Sequence, residues 1–600
     1  MQEDDLFLDA HNTSVSVPKF NLCNWKLIAL LLFTMNIFQA WLWFPAEYPC
    51  STGPCLELSL MLSKSIDRQI DPCEDFYQYV CGNWKKIHSI PDDEVRVSQL
   101  SLIEENTFES LHGMLSGKES RSPEELKAVH FYHSCMNATT GTRDILELLA
   151  DISNKSLMHL VSESILLGVD NGIVSVSVSA DSKNSSKYAM YVSQSSLSLP
   201  KKYFDEEVYL KALETKIFSF FRRVFNTTLE NELRAKSKAV FELEIKLSTI
   251  HRPRSDFENP EKAYNRFQIQ DLVEAFPNLH LGSLFETLLP EGVSEVIVTS
   301  VDYLKDLNEI LLVLDPTSLR DYVVFRVIDS FAVHLSRDFQ FEMLEFDKVV
   351  FGVGSLPDRS HSCIGRTSYY LGFAVAHMWI STEFNVESKL RIETMINELR
   401  DSFQEGLGTL EWMDPITKKH ALKKSNSMHH KIGYPEFLLD ASKFRAYYEK
   451  FQVKQDTYFE NVLNGRRFLS FGNLKLLLRD TVDRYEWSMI PTEVNAYYSP
   501  TANEIVFPAA ILQPPLFHSD FPFQFTYGSI GSIIGHEYLH AFDDSGSKFD
   551  QYGNLNNWWQ NDTLNEFKLK TDCLVNHYSK FRTAAGQSVV SIRIILYFHY

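Results

Sequence analysis

Within the segment Gly528–Asp544, GSIGSIIGHEYLHAFDD, two histidines stand four residues apart, with a glutamate directly after the first. On an α-helix, His536 and His540 project in the same direction. Two imidazoles so placed can share one zinc ion, each nitrogen about 2.0–2.1 Å from the metal. Glu537 lies roughly 100° further round the helix, where it can touch a metal-bound water without ligating the metal. Zinc lowers the pKa of that water, and Glu537 can take its proton as the water attacks a peptide carbonyl. Asp543 follows His540 by three residues and His536 by seven. From there its carboxylate can accept a hydrogen bond from a ligand imidazole and orient it. Chance supplies H-E-x-x-H in roughly a few per cent of chains this long. An ordinary solvated or core histidine pair is the bland reading; the apolar face of the helix, Asp543 and the signs of export described below favour zinc.

The elements that must hold this turn are partly legible. Ile534, Tyr538, Ala541 and Phe542 recur at helical spacing and predict one buried face. Upstream, NEIVFPAAILQPPLF contains a short β-rich run, Ile505–Phe507, followed at once by Pro508. Proline cannot donate to a ladder, so this strand is expected at a sheet edge, either protected or open to an extended peptide. Apolar spacing of three and four residues predicts helices over Leu100–Met114, Leu304–Leu314 and Ser388–Leu410. The alternation VSVSVSA and the following YAMYVSQ read as a strand pair. The expected fold is mainly α with small β elements. The composition shifts near residues 435–495, where a second unit is expected to begin.

The formal charge of -20 argues against a nucleic-acid partner, since phosphate binding needs clustered Lys and Arg. Residues 27–44, LIALLLFTMNIFQAWLWF, carry no charge and are just long enough to span a bilayer. Trp25 lies at one edge of the run and Trp41 and Trp43 at the other, and Lys19 and Lys26 precede it, placing residues 1–26 in the cytoplasm and the rest outside. A cleaved signal peptide is the rival reading; the long, initially acidic n-region weighs against it. Of eight cysteines, Cys23 falls on the cytoplasmic side, leaving an odd seven in an oxidising compartment. Asn137, Asn154, Asn184, Asn226 and Asn561 open glycosylation sequons that require translocation to be used. His429, His430, His518, His577 and His599 lack ligand spacing and are read as ordinary side chains.

Four segments in order carry a wider resemblance: DPCEDFYQYVCGNW (71–84), EWMDPITKKHALKKSNSMHHKIGYPEF (411–437), NAYYSPTANEIVFPAAILQPPLF (495–517) and IGHEYLHAFDDSGSKFDQYGNLNNWW (534–559). Together they resemble the neprilysin and endothelin-converting-enzyme family of zinc metallopeptidases, from about residue 50 to 587. The resemblance implies a single-pass type II plasma-membrane glycoprotein with an extracellular ectodomain. It implies two largely helical lobes around a closed cavity, a thermolysin-like zinc helix, and an oligopeptidase that cuts on the amino side of hydrophobic residues. On it, residues 1–26 are a cytoplasmic tail, 27–44 a signal-anchor, 45–70 a stalk and 71–437 a mainly helical lobe. Residues 438–494 are a connecting helical region, 495–587 the zinc-peptidase domain and 588–600 an atypical tail. Asn495 and Ala496 would hold the substrate backbone, and Ile511, Leu516 and Ile533 would line a hydrophobic subsite. Ser532 replaces a residue that is often larger, implying a wider pocket. Cys50 is implied to pair with Cys55, and Cys135 with Cys363.

The sequence also departs from that family. A catalytic zinc needs three protein ligands and an open position. The family's third is a Glu in an E-N-x-A-D motif about sixty residues beyond the zinc helix. These 600 residues contain no such motif; Glu566, in TLNEFKLK, is the only Glu after Glu537. The cysteines that would pair with Cys73, Cys81 and Cys573 are also absent, so those three are expected unpaired. Weak zinc binding, poor folding and an inactive site are the expectation for this chain. The alternative is a non-catalytic, membrane-displayed ectodomain that binds peptides as a decoy.

Overall fold

The computed structural model describes residues 52–117, 121–153, 156–225, 229–257 and 259–582. The cytoplasmic tail, the anchor at 27–44, Cys50, Asn154, Asn226, His599 and the tail at 588–600 lie outside the described residues. None of the described helices is long and apolar enough to cross a membrane. The chain divides into two compact units, 1–60 and 61–600. Of the first, residues 52–60 are described and contain the start of the helix Gly53–Ser65.

The second unit is mainly helical, and many helix starts are written locally. The Gln99–Ser116 helix opens with a reciprocal Ser98–Ser101 capping box, and Pro123–Met136 with Ser122 and Glu125. Pro316–Ala332 and Pro415–Asn426 each begin with a capping aspartate followed by proline. In every case a side-chain oxygen satisfies an N–H that the first turn leaves unpaired, and proline there has no N–H to lose. The three helices expected from apolar spacing appear as Gln99–Ser116, Val301–Val313 and Val386–Thr409.

Seven strands form two sheets among the described residues. β1 (Val174–Asp181) and β2 (Asn184–Gln194) are the expected hairpin, and β3 (Asn265–Gln268) and β4 (Glu295–Val298) extend it in the order β1-β2-β4-β3. The second sheet has the order β5-β7-β6, from β5 (His429–Gly433), β6 (Tyr497–Ser499) and β7 (Glu504–Pro508). β7 is therefore central, which corrects the edge position expected from Pro508. The proline is the last residue of the strand, where only β5 lies opposite; pairing with β6 runs over Glu504–Val506 and ends before it. The missing donor thus falls beyond the second ladder, and β6 takes the edge. β5 joins the two sides of the expected boundary near residue 437 in one sheet.

Three hydrophobic clusters form among the described residues. The largest gathers Phe220, Phe221, Phe325, Phe331, Tyr370 and Trp379 with many aliphatic side chains. It also takes in Tyr448, Tyr458 and Val462 from the 438–494 region. A second cluster packs Ile392 and Ile396, on the Val386–Thr409 helix, against Ile505, Phe507, Ile530, Ile534 and Tyr538. A third joins Ala421 to Trp558 and Trp559. Cys135 and Cys363 form a disulfide across 228 residues of sequence. Cys55 is also disulfide-bonded, whereas Cys73, Cys81 and Cys573 are free. Asn137, Asn184 and Asn561 are all exposed.

Candidate metal and peptidase site

The helix Ile530–Leu539 carries His536 and Glu537 and ends with His540 as its C-cap, still in right-handed helical conformation. The His540 N–H donates to the His536 carbonyl at 3.1 Å, so the final turn keeps the two imidazoles in line. Their Nε2 atoms converge to 2.9 Å. Ile534 and Ala541 are fully buried and Tyr538 nearly so, while Phe542 packs against the same cluster. The apolar face thus anchors the helix and leaves the histidine face half-buried.

The next loop fixes one imidazole. Asp543 Oδ2 lies 2.7 Å from His540 Nδ1, and Asp543 Oδ1 accepts the N–H groups of Ser545 and Gly546 at 2.9 and 2.6 Å. Burial pushes the His540 pKa down, but the hydrogen bond and charge of Asp543, with Glu537, hold it above the ordinary value. If Nδ1 carries the proton, Nε2 is left with a lone pair for a metal. Glu537 is 6 % exposed, and burial lifts its carboxyl to about 7 against the opposing His540 and the backbone N–H of Tyr498 on β6.

Nothing in the local sequence around Lys424 marks it as part of the site. Its ammonium is buried and donates to the carbonyls of Ala541, Gly546 and Phe549 at 2.7, 2.6 and 2.7 Å. Burial draws its pKa down to about 7, with Asp543 and Asp550 opposing. It ties the Pro415–Asn426 helix to both ends of the loop that carries Asp543. The indole N–H groups of Trp558 and Trp559 donate to Phe549 and Ser547 of that loop. Ser425 and Tyr538 hydroxyls, 2.5 Å apart, join the same helix to the site helix.

The residues expected to meet a substrate are gathered around these elements. Asn495 is exposed just before β6, its Oδ1 accepting the Ala496 N–H at 2.9 Å, and Ala496 is buried. Ile511 is buried in the second cluster, with Leu516 and Ile533 packed against it. Ser532 is exposed and donates to the Ser529 carbonyl.

Two convergent imidazoles, one oriented by a carboxylate, fit two corners of a tetrahedral zinc site. Among the described residues, no group of three or more His, Cys, Asp and Glu side chains is placed to hold a metal ion.

Two family models of peptidase family M13 match the chain, one over residues 72–435 and one over 495–595. The chain is 31 % identical to an endothelin-converting enzyme homolog of Locusta migratoria over 568 residues, covering 89 % of this chain and 78 % of that one. It is 31 % identical to endothelin-converting enzyme 1 of Homo sapiens over 562 residues, covering 89 % and 72 %. Its fold is similar to that of a Mycobacterium tuberculosis zinc metalloprotease solved with an inhibitor. That match has TM-score 0.80 and 28 % identity, and covers 87 % of this chain and 80 % of that one. A PepO structure from Lactobacillus rhamnosis, at 23 % identity and TM-score 0.76, shares the fold. With the two models spanning well over half of its length, the chain belongs to peptidase family M13, a family of zinc metallopeptidases.

Proposed function

We propose that this chain is a zinc-dependent metalloendopeptidase that cleaves oligopeptides on the amino side of hydrophobic residues. The observation that carries the reading is the 2.9 Å convergence of His536 and His540 Nε2, with the buried Glu537 between them in sequence. His536 and His540 would hold the metal. When bound, zinc supplies Lewis-acid polarisation of a peptide carbonyl and acidifies water. Glu537 takes the proton of the attacking water on its carboxylate and returns it to the leaving amine. Asp543 keeps the His540 ring oriented.

An extended peptide would lie along β6, which pairs with β7 on one side and with no other described strand. Asn495 would hold its backbone with Ala496, and Ile511, Leu516 and Ile533 would receive the hydrophobic side chain, with extra room beside Ser532. On the family resemblance, the site faces a cavity between two lobes of a type II membrane glycoprotein anchored through residues 27–44. A second reading, a peptide-binding ectodomain without turnover, draws on the two-imidazole set, which among the described residues is one short of the three protein ligands a catalytic zinc takes.

Cleavage of peptides with an internal hydrophobic residue separates the two. The peptidase reading expects zinc-dependent products beginning with that residue, and a rate about 100-fold or more lower in Glu537→Gln. Peptide binding with no zinc-dependent product favours the decoy.

A further inference from the structure

We propose that the cavity beside the Cys135–Cys363 disulfide is a binding site for a small free oxyanion such as phosphate or sulfate. It shares no lining residue with the His536–His540 site and encloses about 290 Å³. Three guanidinium side chains, Arg337, Arg359 and Arg366, line it, and no Asp or Glu does. Among the described residues, none of the three forms an ion pair with a carboxylate, in a chain whose net charge is -20. Three like charges lining one cavity give it a positive potential that a counter-ion would offset, screened most at the exposed Arg337.

The backbone adds to the same sign. Two long helices, Arg337–Val350 and Arg359–Glu383, begin at the cavity wall, which includes Ser336 and Ser362. Neither has a side-chain hydrogen bond at its N-cap, although Asp338 in the first turn of one and Asp358 at the N-cap of the other offset part of each positive helix end. Arg359 is braced by donating to the Cys135 and Ala138 carbonyls, which fixes its position on the wall.

A buried polar group completes the lining. His334 is 5 % exposed, and its Nδ1 lies 2.8 Å from the Tyr458 hydroxyl. Among the described residues no hydrogen bond reaches its Nε2. Burial, with Arg466 and Arg366 nearby, holds the ring neutral, so Nε2 can donate to an anion only in one tautomer. Ala138, Thr139, Thr140 and Tyr458 also line a second cavity, whose charged lining is Asp144, Glu147, Asp151, Asp456 and Glu460 with Arg467. Those carboxylates would repel an anion that extended beyond the first cavity, which is the reason for assigning a small free ion.

The test is thermal melting of the purified full chain in a gluconate background at fixed ionic strength, with inorganic phosphate titrated in. The melting temperature should rise saturably. Arg366→Gln and, separately, Arg337→Gln should each raise the half-saturating phosphate concentration at least tenfold, while Arg143→Gln, on an exposed helix face, leaves it unchanged. Arg337 is exposed, so its variant keeps the test decisive if Arg366→Gln does not fold. No saturable shift beyond gluconate, or the same titration in Arg337→Gln as in wild type, overturns the proposal. Tighter binding of a phosphoserine peptide than of phosphate overturns the free-ion assignment.

Discussion

Asp543 Oδ2 sits 2.7 Å from His540 Nδ1, while its other carboxylate oxygen is held by two backbone N–H groups. The carboxylate is thus fixed before it fixes the imidazole. Replacing Asp543 by Ala is expected to weaken zinc binding about 10–100-fold. Competition against a fluorescent chelator measures this. Unchanged affinity would mean that His540 does not depend on this carboxylate.

Lys424 supports the same loop from beneath. Lys424→Met keeps the volume of the side chain but removes the ammonium from three buried carbonyls; Phe549 keeps the Trp558 indole and Gly546 keeps the Phe549 N–H, while Ala541 loses its donor. A loss of about 3 kcal/mol or more is expected, since hydrogen bonds from a charged group are each worth about 1.5–3 kcal/mol. Urea unfolding of the variant measures it, and a loss under about 1 kcal/mol would show that water replaces the ammonium.

Gly546 lets the loop close. A Cβ built there would come 1.9 Å from the His540 carbonyl oxygen, which belongs to backbone and cannot swing away. Gly546→Ala should therefore cost about 1–3 kcal/mol by overpacking. It should also weaken zinc binding, because the atom displaced belongs to a proposed ligand residue. A variant as stable as wild type with intact zinc affinity would refute this.

His251 makes stability depend on acid. It is buried, its Nε2 has no hydrogen-bond partner, and burial with the charges of Lys201 and Arg326 lowers its pKa to about 4. Between pH 6.5 and 4 the unfolded chain binds a proton that the folded chain refuses. The stability present above pH 6.5 is therefore lost as pH falls towards 4, by about 3 kcal/mol. Buried neutral His334 acts in the same direction. His251→Leu should flatten the pH dependence of the urea midpoint in that window; an unchanged slope would contradict it.

Much of the site was legible because its signals are local. A four-residue histidine spacing, an adjacent glutamate and an apolar helical face each report on one turn. Capping serines and Asp-Pro pairs likewise mark the helix starts they occupy. What escaped was non-local. Lys424 lies in the run ALKKSNS, which reads as a solvated charged face, and only the tertiary fold places it under residues 541–549. The position of β7 escaped for a related reason. Pro508 states that one N–H is missing, but not that β6 ends before reaching it.

The central claim is that His536 and His540 bind one zinc ion together. Zinc K-edge X-ray absorption of the full chain loaded with one equivalent of zinc tests it most directly. The expected spectrum shows two imidazoles at about 2.0–2.1 Å, with one lost in His540→Ala and one in His536→Ala. Zinc bound without imidazole, or a spectrum unmoved by either substitution, would contradict the account.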